Sequence, residues 1–186
     1  MRIIGGARRG LKLAEVGEGD VAAHLRPTSD RVREAIFNLL INAHGNPVAG
    51  ARVLDLFAGT GALGLEALSR GAAQATFVED GAKALALIRA NIAKMRVEGE
   101  TQVLRQDATR LGGNPGAGYR LVFLDPPYAK GLGEIALATA LKGGWLAPEA
   151  MVIWEESAAL AVPEGFRQVD QRRYGDTVVT LLRAAE

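Results

Sequence analysis

The sequence contains no cysteine and only two histidines, His24 and His44. The absence of cysteine excludes disulfide bonds, thiolate catalysis and cysteine-ligated zinc, and it fits a reducing compartment. No apolar run approaches the roughly 18 residues of a membrane span, and the apolar stretch at the N-terminus is too short for a signal peptide. We therefore expect a cytoplasmic protein that has no metal site and does not enter a membrane.

The composition predicts one globular domain with a small appendage. The chain has 186 residues, of which 48% are hydrophobic and 23% are charged. These values are close to the average for globular proteins, so a buried core is expected. The net charge is only +1, although basic residues outnumber acidic ones in the first 33 positions. A local basic face can bind phosphates even when the whole chain is nearly neutral.

The first 45 residues differ in pattern from the rest. Residues 1–13 predict a small hairpin, because short apolar runs flank a turn rich in glycine and arginine. Thr28-Ser29-Asp30 is a helix-start signal, and apolar residues follow it at helical spacing. We assign residues 1–45 to an N-terminal extension of hairpin and helix, and residues 46–186 to the main domain.

Strands alternate with helices from Arg52 onward, which predicts a parallel sheet covered on both faces. The predicted strands are Arg52–Phe57, Ala75–Glu79, Gln102–Arg105, Leu121–Asp125 and Met151–Glu155, and the predicted helices are Ala62–Arg70, Ala82–Arg96 and Leu132–Leu141. The chain ends differently, because Phe166–Arg173 and Thr177–Arg183 flank a Tyr-Gly-Asp turn and predict an antiparallel hairpin. The fold class is therefore α/β, with a mostly parallel sheet that a C-terminal hairpin completes.

A glycine-rich turn follows the first predicted strand of the main domain. The segment Gly59-Thr60-Gly61-Ala62-Leu63-Gly64 leads directly into a helix. Glycines let the backbone approach a ligand closely, and the helix N-terminus adds positive potential. This pattern is typical of nucleotide-binding turns, and by itself it does not define the nucleotide.

Acidic residues after three successive strands indicate which cofactor binds. Asp55 lies ahead of the turn, where a carboxylate would repel a pyrophosphate but would attract the ammonium and sulfonium of S-adenosylmethionine. Glu79 is placed to bind the ribose hydroxyls, and Asp107 to meet the adenine amino group. The candidate cofactor-binding residues are Asp55, Phe57, Ala58, Gly59, Thr60, Gly61, Glu79, Asp107 and Ala108.

The tetrapeptide Asp125-Pro126-Pro127-Tyr128 follows the fourth strand and is the candidate catalytic site. An amino group on a base is a poor nucleophile, because its lone pair is delocalised into the ring. The Asp125 carboxylate and the Pro126 carbonyl can accept its two hydrogens and favour a pyramidal nitrogen, with the prolines holding the carbonyl rigidly. The Tyr128 ring offers a surface on which an extruded base can stack.

These motifs resemble the amino-methyltransferases with an Asp/Asn-Pro-Pro-Tyr motif, and in particular the bacterial 16S rRNA guanine-N2 methyltransferase family. The residues that carry the resemblance are Met1–Gly6, Arg9-Gly10, Arg26–Thr28, Asp30–Asn38, Asp55–Gly61 and Tyr174–Thr177. The resemblance spans nearly the whole chain. It implies a seven-stranded, Rossmann-like class I methyltransferase fold, S-adenosylmethionine as cofactor, and methylation of a small-subunit guanine of the guanine-966 type.

The resemblance also implies where RNA binds. The N-terminal hairpin and the Arg26-Pro27-Thr28 corner are expected at the mouth shared by cofactor and RNA. The candidate RNA-binding residues are Arg8, Arg9, Arg26, Thr28, Arg31 and Lys130. We expect ribosomal RNA, free or within an assembled small subunit, as the partner of a monomeric enzyme.

Other functions remain open from the residues alone. A DNA adenine-N6 methyltransferase can use the same tetrapeptide, but it usually needs a sizeable recognition module. Glutamine-N5 methyltransferases typically have Asn at the position of Asp125. A non-catalytic RNA-binding protein on the same fold, and an NAD-linked oxidoreductase, are disfavoured by the intact tetrapeptide and by the acids around the glycine turn.

Overall fold

The computed structural model describes residues 1–17 and 28–186. It contains four α-helices, α1 Asp30–Ala43, α2 Ala62–Ser69, α3 Ala82–Met95 and α4 Leu132–Lys142, and seven strands, β1 Arg52–Leu56, β2 Gln74–Glu79, β3 Thr101–Arg105, β4 Tyr119–Leu124, β5 Leu146–Glu156, β6 Phe166–Tyr174 and β7 Thr177–Ala184. Helix α1 begins as the sequence predicts, because the Ser29 hydroxyl accepts a hydrogen bond from the Val32 N–H at 3.2 Å. None of the helices in these two ranges is long and apolar enough to cross a membrane.

The seven strands form one sheet in the order β3-β2-β1-β4-β5-β7-β6. Strands β1 to β5 pair in parallel, whereas β7 is antiparallel to both β5 and β6. The predicted mostly parallel sheet with a terminal hairpin is confirmed. The strand order reverses between β1 and β4, and ligands bind at such a switch point in open α/β sheets.

Two hydrophobic clusters cover the two faces of the sheet. Helices α1, α2 and α3 pack on one face, and α4 packs on the other. Side chains alternate along each strand, so Val53 and Phe123 point to the first face while Leu54 and Leu124 point to the second. The acids that follow these residues, Asp55 and Asp125, therefore belong to the face that carries α1 to α3.

The N-terminal segment forms a short, irregular hairpin, in which the Ile3 N–H donates to the Leu11 carbonyl at 2.9 Å. Its predicted strands are reduced to one antiparallel bridge between Arg2 and Lys12, with a short 3-10 turn at Gly6–Arg8. The segment binds to α2, where the Glu66 carboxylate accepts the N–H groups of Ile4 and Gly5 at 2.9 and 2.8 Å. The segment therefore keeps hydrogen bonds between its two arms and adds bonds to a neighbouring helix. The local sequence pattern predicts the hairpin but does not reveal the contact with the helix.

The extension and the main domain share one core. Ile3, Leu13 and Phe37 are buried in the same cluster as Val53 and Phe123 of the sheet. Phe37 and Phe123 are in direct ring contact, with centroids 5.5 Å apart. The boundary between residues 45 and 46 therefore marks a change in sequence pattern, while the segments on either side of it pack into one core. The division into two domains stays a prediction.

Candidate active site

The candidate site lies at the carboxyl edge of the sheet, at the switch point between β1 and β4. Leu56 pairs with Leu124 at the ends of these strands. The glycine turn leaves β1 there, and the tetrapeptide leaves β4 beside it. The Asp125 N–H reaches the Leu56 carbonyl at 3.5 Å. The two predicted halves of the site are thus neighbours.

The turn after β1 has a backbone conformation that favours glycine. Phe57, Gly59 and Gly61 have φ values of 58°, 58° and 79°. Glycine adopts such left-handed conformations at little cost because it has no Cβ. The same conformation is strained at Phe57, and the surrounding structure must compensate for that strain. Gly61 is the N-cap of α2, and the Ala58 N–H donates to the Val78 carbonyl at 3.1 Å. The backbone of the turn is therefore fixed between β2 and α2.

Asp55 orders the start of α2. Its side chain is 1% exposed, and Oδ2 accepts the Gly64 N–H at 2.9 Å. A Cβ at position 64 would lie 2.5 Å from the Phe77 ring and 3.1 Å from Asp55 Oδ2, so only glycine allows this approach. Burial raises the pKa of Asp55 well above its ordinary value, and the nearby carboxylates of Asp125 and Glu79 raise it further.

Glu79 holds the glycine turn from the end of β2. Its Oε2 accepts the Gly59 N–H at 2.9 Å, and its Oε1 accepts the N–H groups of Asp80 and Gly81 at 3.0 and 2.9 Å. A carboxylate offers about four acceptor directions, so these bonds leave Oε2 able to accept one further donor. The group is half-buried, so a ribose hydroxyl can reach it.

Asp107 lies after β3 and starts a short 3-10 turn. Oδ1 accepts both the N–H and the hydroxyl of Thr109, at 2.8 and 2.7 Å. These hydrogen bonds lower the pKa of Asp107, which keeps it ionised. Oδ2 lies 3.8 Å from the Arg110 guanidinium, and 41% of the side chain is exposed. Ala108 is buried against the second face of the sheet.

The donors and acceptors at this edge fit S-adenosylmethionine. The carboxyl groups of Asp55 and Glu79 lie beside the turn and that of Asp107 follows β3, and ionised carboxylates at this edge of the sheet would repel an anionic pyrophosphate. Half-exposed carboxylates can accept from ribose and adenine, and Gly59 and Gly61 add no side chain to the turn. Within residues 1–17 and 28–186, no group of three or more metal-binding side chains is found.

The tetrapeptide forms the other wall of the site. Asp125 is half-buried, Pro126 is buried, and Pro127 is exposed. Burial and, to a smaller extent, the charge of Glu156 raise the pKa of Asp125 to about 7, against the lowering effect of a hydrogen bond from Thr28. The Tyr128 hydroxyl lies 3.3 Å from the Thr177 hydroxyl, which ties the tetrapeptide to the C-terminal hairpin.

Glu155 and Glu156 at the end of β5 were not among the predicted site residues. Leu124 pairs with Trp154, so Asp125 and Glu155 are adjacent at the edge of the sheet. Glu155 is 1% exposed and Glu156 is 6% exposed. The Thr28 hydroxyl reaches Glu155 Oε2 at 3.1 Å and Asp125 Oδ2 at 3.3 Å. An acid after a buried strand, the signal that identified Asp55 and Glu79, would have found Glu155 as well.

The predicted RNA-binding residues occupy different environments. Arg9, Arg31 and Lys130 are exposed, whereas the Arg8 guanidinium Nε donates to the Met95 carbonyl at the end of α3, at 3.1 Å. Thr28 faces the carboxyl groups of the site. Arg26 lies outside the described residues.

The sheet order, the glycine turn and the acids around it define a Rossmann-like, S-adenosylmethionine-dependent methyltransferase. A family model described as Conserved hypothetical protein 95 matches residues 1–183. The chain belongs to that family.

Named relatives agree with this assignment. The chain is 42% identical over 164 residues to Ribosomal RNA small subunit methyltransferase D of Escherichia coli, covering 88% of this chain and 78% of the relative. It is 34% identical over 181 residues to the protein of the same name in Haemophilus influenzae, covering 94% and 89%. The solved structure of yhhF from Escherichia coli, a provisionally named methyltransferase, has a TM-score of 0.83 and 37% identity, with 100% and 98% coverage.

Proposed function

We propose that this protein transfers a methyl group from S-adenosylmethionine to the exocyclic N2 amino group of a guanine in small-subunit ribosomal RNA, with guanine 966 as the nucleotide that the resemblance implies. The observation that carries the proposal is the position of Asp125. Its carboxyl group lies at the switch point of the sheet, next to the cofactor turn, and a rigid Pro-Pro segment follows it. Relatives named as small-subunit rRNA methyltransferases support RNA as the substrate.

The chemistry of an amino group on an aromatic base explains why this site suits its methylation. The sulfonium of the cofactor supplies an already activated methyl group, so the protein must mainly position and orient the amine. The Asp125 carboxylate and the Pro126 carbonyl accept the two amine hydrogens, which concentrates the lone pair on nitrogen. The nitrogen lone pair forms the new bond to the methyl carbon, the carbon–sulfur electron pair stays on sulfur, and the surplus proton leaves nitrogen toward Asp125.

The extruded base stacks on Tyr128, and phosphates of the RNA contact Arg8, Arg9, Arg31 and Lys130. A base inside a helix cannot reach the half-buried Asp125, so the guanine must leave its stack. Tyr128 is well suited to receive it, because it follows Pro127 directly and its hydroxyl is held near Thr177. We propose that the enzyme acts as a monomer in the cytoplasm, on free RNA or on an assembled small subunit.

The proposal is tested by transfer of a tritiated methyl group to three substrates in parallel: protein-free 16S rRNA, small ribosomal subunits and DNA, each from cells that lack this enzyme. Digestion to nucleosides then identifies the product. The expected result is N2-methylguanosine from RNA or subunits. N6-methyladenine in DNA, or label in protein, would overturn the proposal in favour of the corresponding alternative.

A further inference from the structure

Glu155 is a buried carboxyl group that the proposed reaction does not use directly. It lies at the end of β5, on the sheet face that carries α1 to α3, next to Asp125 across the β4–β5 pairing. Its nearest hydrogen-bonding partner is the Thr28 hydroxyl, at 3.3 Å from Oε1 and 3.1 Å from Oε2. The same hydroxyl is 3.3 Å from Asp125 Oδ2.

One hydroxyl between two carboxyl groups limits how the protons can be arranged. The Thr28 hydroxyl has one hydrogen, which it can donate to one carboxyl oxygen at a time, and it can accept a hydrogen bond in return. Both contacts are hydrogen bonds only if one of the two carboxyl groups is protonated. Two ionised carboxylates at this separation would also repel each other strongly in a site with little water.

Burial decides which carboxyl group holds the proton. Glu155 is 1% exposed, whereas Asp125 is only half-buried. The groups that face Glu155 are the carboxyls of Asp125 and Asp55 and, as the cation, Arg33. Arg33 is already engaged, because its guanidinium lies 2.9 Å from Asp30 and 3.6 Å from Glu66. Glu156 and Thr28 are the other neighbours that act on Asp125.

We propose that Glu155 is a positioning residue that holds a proton, donates it in a hydrogen bond to Thr28, and through Thr28 keeps Asp125 ionised and oriented toward the target amine. This proposal rests on the proposed function for its catalytic part. Asp125 Oδ2 is occupied by Thr28, which leaves Oδ1 to accept from the amine. Arg33 fixes the chain at Thr28 as well, since its Nη1 lies 3.5 Å from the Thr28 carbonyl.

The pKa directions agree with this arrangement. Burial and the charge of Asp125 raise the pKa of Glu155 well above its ordinary value, while Asp125 has a pKa of about 7. The raised pKa of Glu155 fits a carboxyl group that keeps its proton beside the ionised Asp125. A hydrogen bond from Thr28 favours the ionised form of Asp125, so loss of that bond must raise the pKa of Asp125.

The first arm of the test locates the proton without any assay of activity. Infrared spectra of the intact protein at about pH 8 are compared for the wild type, E155Q and D125N. Asp55 is a second buried acid, so only the difference between proteins is informative. The protonated-carboxyl band should lose intensity in E155Q and not in D125N. Loss in D125N with an unchanged band in E155Q would overturn the proposal.

The second arm measures methyl transfer as a function of pH. E155L should lower kcat by about 10-fold to 100-fold, the scale seen when an orienting partner is removed, and E155Q should recover most of that loss because its amide can still donate. T28V should move the acid limb of kcat to higher pH, and T28S should restore it. E149Q, the same Glu→Gln change at a half-buried position near the start of β5, serves as the control. Equal loss in E155L and E155Q, or an unmoved acid limb in T28V, would contradict the positioning role.

The two arms separate this inference from the proposed function. A wild-type protein that shows the Glu155 proton but methylates no RNA overturns the proposed function alone. A protein that methylates guanine but whose infrared band is unchanged in E155Q overturns the role of Glu155 alone.

Discussion

Arg33 on α1 and Glu66 on α2 form a fully buried ion pair, with 3.6 Å between the guanidinium Nε and the carboxylate Oε2. Glu66 also accepts the Arg70 Nε–H at 2.8 Å and the backbone N–H groups of Ile4 and Gly5. One carboxylate thus joins two helices and the N-terminal loop.

Glu66→Ala should lower the free energy of unfolding by about 3–5 kcal/mol, because it removes the buried carboxylate that pairs with Arg33 and leaves the N–H groups of Ile4 and Gly5 without an acceptor. Denaturant unfolding measures the change. Glu34→Ala, at an exposed position of α1, is the control and should change stability by less than about 0.5 kcal/mol. Equal stability of the two variants would show that the pair contributes nothing.

Glu79→Ala should weaken binding of S-adenosylmethionine by about 1.5–3 kcal/mol, the scale of a hydrogen bond to a charged group. The substitution also frees the Gly59 N–H, so the turn loses an anchor. Calorimetry with S-adenosylhomocysteine gives the affinity, and Asp107→Ala should show a loss of similar direction. Unchanged affinity in both variants would place the cofactor elsewhere.

Asp125→Ala should lower kcat by roughly 10²–10³ while cofactor affinity stays nearly constant, because an oriented acceptor acts mainly in the transition state. The measurement is single-turnover methyl transfer beside calorimetry. An equal loss of cofactor affinity would mean that Asp125 belongs to the cofactor site.

Tyr128→Ala should weaken binding of the extruded base by about 1–3 kcal/mol, because the stacking contact is lost. Tyr128→Phe keeps the ring and should weaken binding much less. The loss should appear in kcat/KM for RNA. Similar behaviour of the two variants would point to the hydroxyl contact with Thr177 as the important interaction, and would exclude stacking as the main role.

Arg9→Ala should lower affinity for RNA and reduce its salt dependence by about 0.7 in the logarithmic slope, the value of one phosphate contact on a single strand. Arg9→Ala is a cleaner test than Arg8→Ala, because Arg8 also donates to the Met95 carbonyl at the end of α3. Replacing Arg8 would therefore change stability as well as RNA binding. Calorimetry with cofactor is the control and should not change. Normal methylation at physiological salt would make Arg9 an ordinary exposed residue.

Asp125→Asn should raise the free energy of unfolding at about pH 8 by an amount on the order of 1 kcal/mol. The folded pKa of Asp125 is about 7 and its ordinary value is 3.8, so the folded state binds the proton more tightly than the unfolded state. This contribution to stability is present below about pH 4 and is lost as pH rises toward 7. The difference between variant and wild type should therefore be near zero at low pH and grow across that window.

The sequence predicted the main domain well because its signals are local. Buried apolar runs, and the residues that end them, predicted strands β1 to β4 and helices α2, α3 and α4 to within a few residues. Strand β5 begins at Leu146, earlier than the predicted Met151, since Pro148 and the left-handed Glu149 (φ 58°) break the pattern that marks a strand. Contacts between residues that are far apart in the sequence left no such local signal.

The buried polar contacts that escaped prediction lie inside apolar surroundings. Glu66 lies in α2, every residue of which is buried, and Arg33 is the buried charge of α1. A charge at a core position needs a partner, but the sequence pattern did not identify either position as buried. The pairing of Glu155 with Asp125 required knowledge of the strand order, which β5 alone does not supply.

Asn91 on α3 joins the cofactor turn to the N-terminal segment. Its side-chain amide donates to the carbonyls of Thr60 and Ala14, at 3.0 and 3.1 Å, and accepts the Ala14 N–H at 2.6 Å. A ligand that restricts the motion of Thr60 therefore also restricts the motion of Ala14, and a partner bound at the N-terminal segment restricts the motion of the turn. If RNA binds at the N-terminal segment as proposed, we expect RNA and cofactor to raise each other's affinity by the same factor, because coupling between two sites is reciprocal.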